Sequence, residues 1–435
     1  MTNAHALERN LLEQIVTRDN LTRAWKRVKA NNGAAGADEV SITEFPAWAR
    51  QHWPNIKTQL LDGTYQPNAV RRVWIPKPNG DQRPLGIPSV ADRMIQQAIA
   101  QVLTPIYEPL FSHHSYGFRP GRNAHQAVRQ VRDDIRSGNR IVVDIDLAAF
   151  FDSVNHDVLM RLLAQRVRDK RVLNLIGRYL RAGVLIDGVQ HPTPLGVPQG
   201  GPLSPLLANI VLHELDVYLQ TQKRSFARYA DDFVICVKST SAARRVKANV
   251  TRFLEQRLKL RINHDKSRIV PSKQLEFLGF CFRGTKIVWC DKALHRFKHR
   301  IKQLTGRSWG VSLARRYREL RQYLVGWMNY FALSEYYRPI PELDEWLRRR
   351  MRCCYWKQWR WPRTKIKHLL SLGINRDEAI KTGVSSKGPY AMSRTPITQQ
   401  AMSNAWLATG SGVDQRSVGP FSLPCFNRLS SGPAC

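Results

Sequence analysis

Five aspartates in two clusters carry the chemistry available to this chain. Asp144, Asp146 and Asp152 lie in IVVDIDLAAFFDSVNH; Asp231 and Asp232 lie in FARYADDFVICV, 85 residues beyond Asp146. Each cluster sits in or beside an apolar, β-branched run that reads as a buried strand. Burying an unpaired polar group costs on the order of 2–7 kcal/mol, and an ionised carboxylate more, so a chain that does this twice calls for cations. Hard divalent cations of the Mg²⁺ type take carboxylate and phosphate oxygens. Two of them held by shared carboxylates perform in-line phosphoryl or nucleotidyl transfer. Alternation along a strand sends Asp144 and Asp146 to one side and Ile145 to the other, so either of the two could be a ligand. Asp152 falls past the strand and reads as a helix N-cap or first-turn acid. Asp231 and Asp232 are adjacent and face differently, so one ligates most directly while the other binds one ion or supports the site.

The elements that must position these groups can be read in outline. Residues 1 to about 62 have a helical period, broken by the Gly-rich turn NNGAAGAD. AVRRVWIPKPNGDQRPLGIP (69–88) reads as a hairpin turning at Pro-Asn-Gly-Asp. A helix over ADRMIQQAIAQVLTPIYEPL, the loop SYGFRPGR (115–122) and a basic amphipathic helix to about 137 follow. Residues 140–146 form the first acidic strand, and 155–183 read as helical. GVPQGGPLSP opens another helix, and strands at about 225–229 and 233–238 flank Ala230, Asp231 and Asp232. A helix over 242–258, a short strand in LKLRINHDKSRIV and the strand FLGFCF (277–282) complete the region. There is no Gly-rich phosphate loop. A hairpin bearing acids predicts an α+β fold, an antiparallel sheet covered by helices on one face.

Composition supplies the partner class. The 435 residues suffice for two or three globular units, and 68 Lys+Arg against 34 Asp+Glu give a net charge of +34. That excess implies a polyanion, nucleic acid above all, over acidic lipid or a merely solvated surface. It concentrates late in the chain: residues 283–367 hold 22 Lys/Arg against 6 Asp/Glu and seven of the twelve tryptophans, in helical patterns that suit a clamp on a duplex or a bundle with tryptophans inside and arginines outside. No two of the seven cysteines form a CxxC pair, which disfavours a zinc knuckle, and their spacing fits a reducing bacterial cytosol. No run suggests a signal peptide or membrane span. The stretch from about 409 to 435 lacks periodicity and reads as a poorly ordered tail.

YADD with DIDLAAFFD upstream resembles the catalytic palm of a reverse transcriptase. With SYGFRPGRNAHQAV, GVPQGGPLSPLLANIVLHELD, LKLRINHDKSRI, FLGF and then RRYRELRQYLVGWMNYF, the chain to about residue 408 is similar to the reverse transcriptase/maturases of bacterial group II introns. The resemblance implies a right-hand-like polymerase followed by a helical thumb or X domain. It implies N-terminal extension and fingers over 1–139, palm over 140–285 (the reverse transcriptase domain running from about 58 to 282), thumb over 286–370 and a C-terminal segment over 371–435. Asp146, Asp231 and Asp232 become the metal site for two Mg²⁺, with Mn²⁺ as a substitute, and Asp144 a neighbour. Phe151 matches a steric gate against a 2′-hydroxyl, or is a core ring. Lys77 and Arg83 match triphosphate-gripping residues, Gln199 a contact to the nucleotide, and Gly200 (with Gly201) a close backbone approach. Lys266 matches a general acid for pyrophosphate, or is a solvated lysine. Arg119 and Arg122 match template contacts, or are structural. Arg315, Arg316, Arg348, Arg349 and Arg350 are the RNA-binding candidates of the X region.

The partners implied are intron RNA, an RNA template with a DNA primer, dNTPs and target DNA. Oligomeric state is left open. Relatives with a zinc-dependent endonuclease carry paired cysteines absent here, so target cleavage is not expected. The competing readings are a splicing cofactor with a silent polymerase, and a retron or CRISPR-linked reverse transcriptase.

Overall fold

The computed structural model describes residues 10–76 and 80–409; the expected tail lies outside them, as does Lys77. The chain divides into two compact units, Met1–Leu275 and Glu276–Cys435.

The first unit begins with helices α1 (Leu11–Ile15), α2 (Arg18–Asn31) and α3 (Phe45–Leu61). The expected hairpin forms as β1 (Val70–Pro76) and β2 (Gln82–Ile87), paired antiparallel from Arg71↔Ile87 to Pro76↔Gln82. Helix α4 (Val90–Tyr107) is buried on nearly all sides and runs through the core. Its one buried acid, Asp92, accepts from the hydroxyls of Tyr65 (2.8 Å), Ser89 (2.7 Å) and Tyr179 (3.1 Å) and from the Asn68 N–H (3.1 Å). Four donors around one carboxyl tie α4 to the approach to β1 and to a later helix.

Next come α5 (Ala124–Arg136), opened by a capping box between Asn123 and Gln126, then β3 (Ile141–Ile145) and the short α6 (Phe150–Ser153). Residues 155–183 are not one helix. They form α7 (His156–Ala164) and α8 (Lys170–Arg181), because the Asp169 side chain caps the Arg171 N–H and also accepts from Leu12 N–H. A hairpin that the sequence reading did not foresee follows: β4 (Val184–Ile186) and β5 (Val189–His191), with Asp187 and Gly188 both at positive φ in its turn. Asp-Gly between apolar residues is the signal that could have found it. Strand β4 runs parallel to β1, giving a sheet of order β2-β1-β4-β5.

The second sheet has order β6-β7-β3-β8, from β6 (Ser225–Tyr229), β7 (Asp232–Val237) and β8 (Arg268–Pro271). Val143, Ile145, Phe233 and Ile235 face the core, against α9 (Ser204–Thr221) and α10 (Thr240–Arg252) among others. All β3 and β7 pairings are antiparallel.

The unit boundary at 275 lies ahead of the expected palm limit of 285. The FLGFCF strand does not join the aspartate-bearing sheet. It splits at Leu278 and Gly279, both at positive φ, into β9 (Glu276–Phe277) and β10 (Phe280–Arg283), which pair with β11 (Lys286–Trp289) in a separate three-stranded sheet. Helices α11 (Asp291–Leu304), α12 (Leu313–Phe331) and α13 (Pro339–Gln358) follow, then shorter ones to Thr409. Trp289, Trp327, Trp356 and Trp359 are buried there, so these four rings serve the core; Trp361 is 64% exposed. No described helix is long and apolar enough to cross a membrane.

Candidate active site

Register brings the aspartates together. Asp144 pairs with Val234 and Ile145 with Phe233, so the next step along β3 sets Asp146 beside Asp232. Residues directly opposite in a sheet point the same way, so Asp144, Asp146 and Asp232 share the face away from Ile145 and Phe233. Tyr229 pairs with Asp232, leaving Ala230 and Asp231 as a two-residue turn, with Ala230 in the left-handed region (φ 57°).

The electrostatics agree with this placement. Desolvation raises the Asp231 carboxyl, and the Asp146 charge raises it further. Asp232 is pushed up to about 7 by desolvation and then by Asp144, Asp231 and Asp146. The Asp232 residue itself is exposed at the start of β7, beside these acidic neighbours. Asp144 has its own counter-charge, Arg268 Nε at 3.1 Å. Asp146, Asp231 and Asp232 have no such partner among the ion pairs of the described residues. Carboxylates converging without a cationic partner fit hard, oxygen-seeking divalent cations.

Two supports hold these groups, and the sequence reading missed both. The 263–267 turn clasps Asp146 through its backbone: Asn263 N–H donates to Asp146 O (2.8 Å), and Asp146 N–H donates to Ser267 Oγ (3.0 Å). Lys266 therefore rides on a turn fixed to Asp146, with its own side chain exposed. Beneath the Asp231 turn lies Arg228, wholly buried with Asp216. All five of its N–H donors are used: on Asp216 (2.7 and 2.5 Å), Asn209 Oδ1 (2.9 Å), Ser115 Oγ (2.7 Å) and the Ala230 carbonyl (2.9 Å). Asn209 in turn donates to Gly117 O (2.9 Å), and a Cβ on Gly117 would stand 2.2 Å from Ala230 N. The motifs SYGF, ANIVLHELD and RYADD thus meet under the turn. Spacing could not show this, because the partners lie up to 113 residues apart.

On the side of the first sheet, Arg83 Nε donates to Gln199 Oε1 (3.0 Å) and Gln199 Nε2 donates to Asp152 Oδ2 (3.1 Å). The Arg83 charge also lowers the Asp231 carboxyl, so the two lie in electrostatic reach. Asp152 is a first-turn acid of α6, as its position suggested, and a partner of Gln199 as well. Gly200 has φ 112°, and a Cβ there would meet Gly86 O at 2.3 Å, while Gly86 N–H donates to Gln199 O (2.7 Å). The close approach at Gly200 is therefore to the β2 backbone. Phe151 is half-buried, edge-on to Phe150 at 5.3 Å, and its carbonyl accepts from Val197 N–H.

Several arginines assigned to RNA are employed otherwise. Arg119 is buried; it pairs with Glu108 (2.8 Å) and donates to the carbonyls of Ser112 and Ser115. Arg316 is buried, with Nη1 on Leu304 O (2.8 Å) and its guanidinium over Trp309. Arg350 closes the end of α11 through Thr305 Oγ1 and Lys302 O. Arg119 thus takes the structural role offered as its alternative, and Arg316 and Arg350 depart from the expectation: carbonyls left open at loop and helix ends claim the guanidinium forks. Arg348 pairs with Asp344, and Arg349 with Glu345 and Tyr390. Arg122 is half-buried and reaches His113, and Arg315 is exposed in an i,i+4 pair with Glu319.

A strand-and-hairpin cluster of aspartates facing a basic hairpin defines the palm of a nucleic-acid polymerase, and comparison identifies which kind. Residues 75–282 match the family described as "Reverse transcriptase (RNA-dependent DNA polymerase)", and residues 294–373 match "Group II intron, maturase-specific domain". The chain is 35% identical to Protein YkfC of Escherichia coli K12 over 64% of this chain and 82% of that protein. It is 31% identical to the group II intron-encoded protein LtrA of Lactococcus lactis subsp. cremoris over 60% of this chain, and spans 54% of LtrA. A solved partial Cas6-RT-Cas1–Cas2 complex shares 27% identity at a TM-score of 0.37, over 56% of this chain and 42% of that one. The chain belongs to the group II intron reverse transcriptase/maturase family.

Proposed function

We propose that this protein extends a DNA primer along its intron RNA and, through the second unit, binds that RNA to assist splicing and movement into target DNA. The convergence of Asp146 and Asp232 on one sheet face, with Asp231 in the adjoining turn, carries the reading. These three would hold two Mg²⁺, or Mn²⁺ in their place. Bound there, the ions supply activation of the primer 3′-hydroxyl and neutralisation of the triphosphate. The protein's own task is placement and charge. Ser267 and Asn263 fix the Asp146 backbone. Arg228 fixes the turn that presents Asp231. Arg83, released from Gln199, grips phosphate oxygens of the incoming dNTP as a planar fork. Phe151 screens the sugar, and Lys266 gives a proton to departing pyrophosphate. Lys77, which follows Pro76 in the sequence, belongs with Arg83. The work falls in the bacterial cytosol and, when DNA is engaged, at the nucleoid.

Purified protein with an annealed primer, an RNA template, dNTPs and Mg²⁺ should make cDNA, and Asp231→Ala should lower the rate at least about 10³-fold. Full synthesis by the variant would refute the site. Intron binding and splicing help should survive that substitution, since phosphate contacts need no active-site metal. Loss of both together would instead mean that the turn supports the fold.

A further inference from the structure

The second unit carries a pair of thiols that the polymerase reading does not use. Cys281 lies on β10, and Cys290 follows β11 as the residue that opens α11. Register pairs Cys281 with Val288, so Cys290, two residues on, falls on the same face diagonally across the hairpin, and the two sulfurs lie 2.6 Å apart. Cys281 is half-buried and Cys290 is 2% exposed. Either sulfur can donate in the contact between them, and that contact lowers the Cys281 thiol and raises that of Cys290. Cys236, Cys353 and Cys354 are all buried, and burial pushes up the thiols of Cys236 and Cys354.

A carboxyl oxygen of Glu276 completes a triad whose ligand atoms all lie within 4.8 Å of one another, a set that a soft divalent cation could use. The Lys292 ammonium, however, already stands 2.7 Å from Glu276. The cluster holds its cation, and a second, divalent one would have to displace it. Arg283, whose charge lowers the Cys281 thiol, favours a thiolate there, while Glu276 and Asp291 oppose it.

We propose that Cys281 and Cys290 are a redox-active dithiol that closes to a reversible disulfide on meeting a small-molecule disulfide such as oxidised glutathione. The Cys281 thiolate attacks one glutathione sulfur. The S–S bond of glutathione breaks, and the first glutathione thiolate leaves and takes up a proton. The Cys290 sulfur, its proton passing to solvent, then displaces the second glutathione thiolate from Cys281. Two protein thiols are oxidised and one glutathione disulfide is reduced to two thiols. Cys281 is the entry point because it alone is accessible. The closed bond fastens the hairpin to the residue that caps α11.

The test needs no variant to begin. Purified full-length protein is incubated with oxidised or reduced glutathione, free thiols are alkylated, and peptides are mapped by mass spectrometry. Oxidised glutathione should yield a Cys281–Cys290 cross-link that a dithiol reductant reverses. Cys290→Ser should stop at a glutathione adduct on Cys281, whereas Cys281→Ser should leave Cys290 unmodified. Equal alkylation of both thiols after either treatment would overturn the proposal. So would protection of both thiols by Zn²⁺ alone, undone by a chelator and by Glu276→Gln, since that result assigns the triad to a metal. Circular dichroism of the two serine variants shows whether they fold, and the wild-type map decides the matter if they do not.

Discussion

Asp232 differs from its neighbours in having its pKa lifted to about 7, by desolvation and by three other carboxylates. A carboxyl raised on folding binds more protons in the folded state, so it contributes stability below its unfolded value, and that contribution is lost as pH rises toward the folded value. Without divalent metal, thermal stability should therefore fall from about pH 4 to pH 7, and Asp232→Asn should flatten that slope and raise the melting temperature at neutral pH. Metal reverses the sign for the wild type, because it binds the ionised form. Scanning calorimetry across pH with Mg²⁺ and with chelator checks this; an unchanged slope in the variant would assign the titration elsewhere. Arg228 makes a second residue-scale prediction. Removing one partner of a buried pair costs about 3–5 kcal/mol, so Arg228→Met should destabilise the fold outright. Arg228→Lys keeps the charge and loses the five-donor fork. It should fold, bind primer–template normally and lose about 10–100-fold in kcat, the loss expected when a reacting group is misplaced by a fraction of an ångström. Equal loss of binding would mean that the arginine serves only the core. The aspartates themselves were legible in the sequence because carboxylates in apolar strands are anomalous. The arginine beneath them was not, since it looked like one basic residue among 68 Lys+Arg.

Among the elements, the Gly-rich loop after β5 and helix α5 are the most open to test. At Gly200 a side chain needs both a disfavoured φ and space held by Gly86 O. Gly200→Ala should push the loop off β2 and move Gln199, raising KM for dNTP at least about 10-fold with primer–template affinity unchanged. Steady-state kinetics with dNTP and primer–template varied separately would show it. On α5, burial raises Asp134 to about 6, and only its Oδ1 is served, by Gln130 (3.0 Å). Asp134→Asn should stabilise the protein above pH 6, by up to about 2 kcal/mol, and do little at pH 4. Denaturant titrations at the two pH values settle it. The elements themselves were largely readable: the β1–β2 and β6–β7 hairpins, α4, α5 and the strand β3 all form where period and turn residues placed them. The errors came where side chains override period. The Asp169 cap broke a helix that apolar spacing made continuous, and Leu278 and Gly279 bent one apolar strand into two.

For the whole molecule, the charge of +34 governs binding to RNA. Affinity for intron RNA should fall linearly on a log–log plot with salt, with a slope of roughly −0.7 to −0.9 per phosphate neutralised. Reversing the exposed Arg315 to Glu should reduce that slope by roughly one or two phosphates, whereas Arg316→Ala should instead lower the melting temperature. Filter binding and thermal melts separate the two. Composition located the basic region correctly, but only the packing distinguishes arginines that hold carbonyls from those free to meet phosphate. The Arg228 knot has one further consequence, for synthesis of the chain. Its participants are recruited from Ser115, Asn209, Asp216 and Ala230, and the clasp on Asp146 waits for Ser267. A ribosome must therefore have made nearly all of the first unit before the acidic pocket can exist, so a chain ended before Ser267 lacks both the assembled aspartates and the basic stretch of residues 283–367.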